Sequence, residues 1–358
     1  MMRRLSRSLL ADWSRQFAAA MAAILAVLAV AQTPRLGANL FAANLGWRQA
    51  LSLAANALPP LLAVALPLAQ LAAWLLVFAR LRRDGEWPAL AAAGISPCRL
   101  LMPIGLTALL VATAVLGLAH ILAPQSLDRA IRTAESGFAE TLNATLAAGQ
   151  TVDLDGKFFL SAQGVGGDGA LSQPFFAIEK TDERHVFWAK QAQLTTAGPS
   201  PRLQLESGTW EWTQGAQTRR ASFDHLTLNA GLWIQSEQAG FASWQTSDSL
   251  SLARQTRTCP STDDDCRRMR SELARRWASG TAVVGFSLFA FAFGCRNSFA
   301  SRQAAWAVAA GATFAYYLLE RAALVLSDKA LFPPTPALLL PALAIAALAF
   351  FRWRRGRT

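Results

Sequence analysis

The sequence predicts an α-helical membrane protein of six transmembrane helices, three plus three, with an inserted all-β domain of jelly-roll type. Three observations predict it. Apolar residues make up 53% of the 358 residues and charged residues only 16%, both far to the membrane side of globular averages. The apolar residues are clumped into six stretches almost free of charge, at 9–31, 51–79, 100–123, 277–294, 304–326 and 337–351. Between the third and fourth stretches the pattern changes to short runs with a period of two.

Each stretch is read as a helix on length and chemistry. A helix rises ~1.5 Å per residue, so ~20 apolar residues cross the ~30 Å hydrocarbon core. The last stretch is the shortest, and its flanks extend it to 334–353. In lipid only helices or closed barrels satisfy their own backbone groups, and these runs lack the strict alternation of barrel strands. The start of the chain, with its arginines, apolar run and Ala29-Val30-Ala31, also has the outline of a cleavable signal. The apolar run is long for a signal core, so a retained first span is expected.

The formal charge of +11 does not point to nucleic acid, because of where it sits. Arg3, Arg4, Arg7 and Arg15 precede or begin the first span, and Arg80, Arg82, Arg83 and Arg99 lie between the second and third. Arg296 and Arg302 lie between the fourth and fifth; Arg352, Arg354, Arg355 and Arg357 end the chain. The short loops on the opposite side carry only Arg35, Arg48 and Lys329. This is the positive-inside asymmetry. It predicts that both termini are cytoplasmic and that the long middle segment is external.

The middle segment is expected to be a separate domain over 124–267, between helical regions at 1–123 and 268–358. A short helix and linker at 125–148 lead into strand candidates at 157–162, 174–179, 185–189, 202–206, 209–213, 221–228 and 232–235. Leu203/Leu205, Trp210/Trp212 and Leu226/Leu228 repeat with period two, the mark of half-buried antiparallel strands. Strands with no helices between them suggest a sandwich or jelly roll. The tryptophans read as ordinary domain core. A charged, helix-compatible segment at 264–276 leads back into the fourth span.

Four cysteines divide by compartment. Cys98 and Cys295 fall at cytoplasmic borders and are expected to be reduced. Cys259 and Cys266 fall outside, where a disulfide can form. So small a ring stabilises by ~2–3 kcal/mol in the chain-entropy view. The aspartates between them, Asp263-Asp264-Asp265, lack the glycine and terminal glutamate of a calcium loop and read as a solvated acidic turn.

Enzyme signatures are absent from the sequence. Gly164-Val-Gly-Gly-Asp-Gly169 matches G-x-G-x-x-G, but strands flank it on both sides, so a hairpin loop is expected rather than a dinucleotide site. No G-x-x-x-x-G-K-[ST], G-x-S-x-G or H-E-x-x-H occurs, and His120, His185 and His225 stand in unrelated contexts. No metal, cofactor or catalytic residue is therefore expected.

The loop between the second and third stretches carries the most information. It reads Arg82-Arg-Asp-Gly-Glu-Trp-Pro-Ala-Leu-Ala-Ala-Ala-Gly-Ile-Ser96. Asp84 is suited to cap a helix N-terminus, Glu86 falls in the first turn, and Pro88 is tolerated there. Gly94 suits the position after the helix end. A short helix over 85–93 is expected, within a loop element at 84–94. Its alanines make a smooth face that another protein can approach.

The same loop resembles the LptF/LptG (YjgP/YjgQ) permease family. Glu86, Leu90, Ala93, Gly94, Ile95 and Ser96 are similar to its S-E-x-x-x-L-x-A-x-G-[ILV]-S pattern. Pro67-Leu68, Ser271-Glu-Leu-Ala-Arg-Arg276, Tyr316-Tyr317, and Pro333-Pro334 with Pro341 agree with further family segments. Two positions depart: Gly85 stands where the family has serine, and Pro88 is unusual. The resemblance spans nearly the whole chain. It implies a permease subunit of an inner-membrane ABC transporter that exports lipopolysaccharide, with the β domain in the periplasm. The implied partners are a cytoplasmic ATPase dimer, a second permease of the same type, a single-span periplasmic bridge protein, and lipopolysaccharide. ATP would be used by the ATPase, and Asp84, Glu86, Leu90 and Gly94 would form the helix coupled to it.

Substrate-path candidates are Arg35 and Arg48, cations suited to lipid phosphates, and Glu320-Arg321 near the outer end of the fifth span. Snorkelling arginines and a structural ion pair are the competing readings. The rival functions are a permease of the lipoprotein-releasing or efflux type and a membrane scaffold. The sequence leaves open whether the chain is of the LptF or the LptG type, and its E-L-x-x-R segment leans to LptF.

Overall fold

A computed structural model describes residues 2–42, 47–133, 151–154, 158–166, 170–180, 183–195, 202–215, 217–229, 243–260, 263–296 and 301–354. The strand expected at 232–235 lies outside these residues. Among them, six helices are long and apolar enough to cross a membrane. In chain order the first three are α1, Met2–Ala42, α2, Trp47–Arg83, and, after the seven-residue α3, Glu86–Ala92, the helix α4, Pro97–Thr133. α4 starts with a 3-10 turn at Pro97–Leu100 and contains a π turn at Leu118–Leu122. After the strands come two short helices, α5, Ser243–Thr246, and α6, Ser249–Thr258. The last three are α7, Asp264–Arg296, α8, Arg302–Asp328, and α9, Pro334–Arg354.

The chain forms two compact units. The helical unit comprises Met1–Gln32, Ala57–Leu127 and Ser243–Thr358, and the sheet-bearing unit comprises Thr33–Asn56 and Asp128–Ala242. Residues 243–267, grouped with the β segment in the sequence, count with the helices.

Within the helical unit, α2 and α7 are central: 72% of the apolar window of α7 is buried against 6% of that of α1. Trp74 and Phe78 of α2 and Phe286 of α7 are fully buried. One polar knot sits among them. The Gln70 side chain accepts from Trp13 Nε1 of α1 at 3.1 Å and donates to Thr107 Oγ1 of α4 and Ser287 Oγ of α7, both at 3.1 Å. Thr107 also accepts from Trp74 Nε1 at 3.0 Å and donates to the Ile104 carbonyl. Ser287 donates to the Val283 carbonyl. Each hydroxyl thus gives its one proton and receives others, so the buried network is well satisfied. It joins four helices at one fully buried glutamine. Replacing Gln70 with leucine is expected to destabilise the helical unit by ~2–4 kcal/mol, because three interhelical bonds worth ~0.6–2 kcal/mol each are lost. Equilibrium unfolding of the purified protein in detergent checks this.

The sheet-bearing unit holds eight strands among the described residues, all pairing antiparallel. The long strands are β6, Glu183–Thr195, β7, Arg202–Gln214, and β8, Gln217–Asn229. β7 lies along one edge of β6 for its whole length. The other edge of β6 is shared end to end by β5, Phe175–Lys180, and β4, Ala170–Ser172, so the sheet branches there. β5 continues through β2, Phe158–Ser161, to β1, Val152–Leu154, and β4 continues to β3, Gly164–Val165. The glycine-rich run at 164–169 therefore begins in a hairpin.

The runs at 202–206 and 209–213, expected as separate strands, are one strand. Alternation nonetheless breaks between them. Phe187 and Ala192 of β6 belong to one buried cluster although five residues apart, and a period of two would send them to opposite faces. The break falls between the pairs Ala189↔Gly208 and Gln191↔Glu206, where Ser207 has φ 49°. A single left-handed residue thus re-aims the strand and keeps one core. That core is a cross-strand row of Leu160, Phe176, Phe187 and Trp210, joined by Leu171, Ala192, Leu203 and Leu205. Trp210 is half-buried, stacks on Phe187 and donates to His185 Nδ1 at 3.3 Å, as a core tryptophan with a polar handle does.

Candidate functional site

The site is the turn from α2 into α3 and the groups that hold it. α2 ends in Arg80, Arg82 and Arg83, cations placed well against the helix dipole. Gly85 at φ 71° stops it, and Gly94 at φ 68° stops α3, two left-handed positions that glycine takes without a Cβ penalty. The Ile95 amide donates to the Leu90 carbonyl at 3.1 Å, the six-to-one bond of a Schellman motif with Gly94 at C′. α3 is therefore fixed in length at both ends. Pro88 lies in its first turn and Leu90 is half-buried, while Glu86, Ala89 and Ala92 are exposed.

The expected capping role of Asp84 is corrected. α3 begins at Glu86, two residues on, and the Asp84 carboxylate accepts instead from Arg80 Nε at 3.2 Å and Arg83 Nε at 3.3 Å. Two charged donors outcompete neutral amides for a carboxylate. The Arg80 hydrogen bond holds the Asp84 carboxyl below the usual carboxylate range.

Three attachments tie α3 to the helical unit. Trp87 meets the Phe78 ring edge-on at 6.0 Å and lies under the Arg82 guanidinium at 5.0 Å. Arg82 in turn donates from Nε to the Gly294 carbonyl at 3.2 Å and from Nη2 to that of Cys295 at 2.5 Å, at the end of α7. The Phe78 ring rests against Gly294 so closely that a Cβ there would lie 2.1 Å from a ring carbon. Finally, Arg80 divides its guanidinium among three carboxylates: Nη1 to Asp12 of α1, Nε to Asp84, and Nη2 to Glu86 of α3 at 3.3 Å.

The other sequence candidates are not gathered at this turn. Arg35 lies in α1, and its side chain lies outside the described residues. Arg48 is exposed, with its guanidinium 5.4 Å from the Trp47 ring centroid, and counts with the sheet-bearing unit. Glu320 of α8 is buried and Arg321 exposed, and the charge of Arg275 on α7 acts on Glu320 as well as that of Arg321. The adjacent pair seen in sequence is thus part of a cross-helix cluster.

Near the start of α7 stands a group that the sequence showed only as part of a family segment. Arg276, almost fully buried, donates to Glu272 Oε1 at 3.1 Å, to the carbonyls of Ser247 and Gln245 at 3.0 Å each, and to Ser249 Oγ at 2.8 Å. A longer contact reaches the Trp244 carbonyl at 3.5 Å. It clamps the turn between α5 and α6 onto α7. Its Glu272-to-Arg276 spacing of four was the readable signal. Cys259 and Cys266 form a disulfide after α6, and Arg270 donates to the Cys259 and Thr256 carbonyls at 3.3 and 3.2 Å.

Among the described residues, six apolar helices, an inserted antiparallel sheet and a firmly mounted, exposed loop helix define a multi-pass membrane protein with a domain inserted between its spans. The family described as lipopolysaccharide export system permease LptF/LptG matches residues 7–355, and the chain belongs to that family. It is accordingly an inner-membrane, multi-pass permease subunit of lipopolysaccharide export, a transporter component rather than an enzyme. No curated protein matches the chain.

Proposed function

We propose that this permease converts the work of a separate cytoplasmic ATPase dimer into extraction of lipopolysaccharide from the inner membrane, and that α3 is the helix on which the ATPase acts. In this reading both termini and α3 face the cytoplasm, and the strands, closed as a jelly roll, face the periplasm. A second LptF/LptG-type subunit completes the membrane part. The sheet-bearing unit passes lipid to a single-span periplasmic bridge protein. Arg48, together with Arg35, is proposed to meet lipid phosphates on the way, and Glu320 and Arg321 to line the path. Asp84, Glu86, Leu90 and Gly94 set the position and length of the coupling helix.

The observation that carries this reading is α3 itself: stopped at both ends, mounted through Trp87 on Phe78 and Arg82, and presenting Glu86 and alanines outward. A helix that is rigidly held yet exposed transmits an applied force to what holds it. Affinity purification in mild detergent tests the reading. The expected result is a complex holding an ABC ATPase, a second permease and lipopolysaccharide. Intact protein that returns without ATPase and lipid would overturn it, and bound lipoprotein in place of lipopolysaccharide would overturn the substrate part of the reading.

A further inference from the structure

Arg80 joins three parts of the chain. Its three nitrogens each face a different carboxylate, on α1, on the turn, and on α3. A lysine, with one compact ammonium, cannot hold three acids in fixed directions, whereas the planar guanidinium fork can. The three acids differ in exposure. The Asp12 side chain is 16% exposed and that of Glu86 46%, so Glu86 is the partner open to a second protein and Asp12 the one held within the bundle.

α1 is the span that such a contact affects most, because its apolar window is the least buried of the six. Three of its polar contacts to other helices fall within one turn: Asp12 to Arg80, Trp13 to Gln70, and Gln16 to Arg302 at 3.4 Å. The turn at Asp12–Gln16 is a point of purchase on a helix otherwise turned largely outward.

We propose that Arg80 is a positioning residue that reports the state of α3 to the first spanning helix, holding Asp12 and Glu86 on separate nitrogens of one guanidinium. When a cation on a docked ATPase takes Glu86, the Arg80 charge is shared by Asp12 and Asp84 alone, and its hold on α1 tightens. When the ATPase withdraws, Glu86 returns and the hold relaxes. The chemistry is partner exchange among carboxylates around one fixed cation, with no bond made or broken. The inference rests on the coupling role of α3 given above.

The test uses the full complex in proteoliposomes, with ATP hydrolysis and lipopolysaccharide release measured on the same preparation. Asp12→Asn, which removes the acid on α1 and leaves α3 untouched, is expected to keep hydrolysis within about twofold and to lower lipid released per ATP by about fivefold, the scale of one half-exposed ion pair. Asp12→Glu is expected to restore the ratio. In an Arg80→Gln background, Asp12→Asn is expected to add no further loss, since Arg80→Gln already breaks the Asp12 contact along with those to Asp84 and Glu86. An unchanged ratio in Asp12→Asn would overturn the relay, as would losses that multiply in the double variant, or hydrolysis and release that fall in parallel in every variant. Failure of the unaltered complex to hydrolyse ATP or release lipid would instead count against the proposed function.

Discussion

Replacing Glu86 with arginine is expected to leave ATP hydrolysis running in the assembled complex while lipopolysaccharide extraction nearly stops. Two effects act together. Reversing one member of a desolvated charge pair across a protein interface costs ~2–5 kcal/mol, which corresponds to a ~30- to several-thousand-fold loss of productive engagement. The same change sets a second guanidinium beside Arg80, whose Nη2 now faces Glu86 Oε1 at 3.3 Å. The α3 mounting through Trp87 is not touched, so the protein is expected to fold and reach the membrane at normal levels. Paired assays of hydrolysis and lipid release, at matched expression, check this. Normal release by the variant would contradict a coupling role for Glu86.

The second large effect is expected at Arg276. Changing it to methionine removes its hydrogen bonds to Glu272, to Ser249 and to the backbone carbonyls of the α5–α6 turn. Methionine keeps much of the buried stem's volume, so the loss is electrostatic rather than a cavity. Breaking one side of a buried ion pair costs ~3–5 kcal/mol, because the remaining charge stays buried without its partner. Here Glu272 retains Arg275, whose two bonds to it are 3.0 Å each, which places the expectation near the lower end. The carbonyls of Gln245 and Ser247 lose a charged donor in the same change. Hydrogen exchange over 243–260 is expected to accelerate, with the unfolding midpoint lowered. Unchanged exchange there would mean that α5 and α6 are held by something other than Arg276.

The spans were legible because each apolar run is long enough to admit few other structures, and among the described residues six helices follow from six runs. Strands were legible from period-two pairs such as Leu203/Leu205 and Leu226/Leu228, whose partners face each other in the sheet. What local pattern does not encode is contact between distant segments. Gln70 reads as an isolated polar residue in an apolar run, and only the fold brings Trp13, Thr107 and Ser287 to it. Arg80 reads as one of several positive-inside charges, and its bond to Asp12 spans most of two helices. Asp84 was misread for the same reason: a capping aspartate follows from local sequence, but two arginines compete for it. Glu320 and Arg321 stand side by side in the sequence, while a further cation that acts on Glu320, Arg275, lies on another helix. In contrast, Gly94 at the end of α3 was readable, since a glycine after a helical run marks a left-handed stop.

Everything proposed for α3 and the sheet requires that they lie on opposite sides of the inner membrane. Single cysteines at Ala92 and at Ser222, both exposed positions, test this directly once Cys98 and Cys295 are changed to serine. A membrane-impermeant thiol reagent applied to cells with a permeable outer membrane is expected to label Ser222→Cys at once, and Ala92→Cys only after the inner membrane is opened. Labelling of both before that opening, or of neither until after it, would contradict the account.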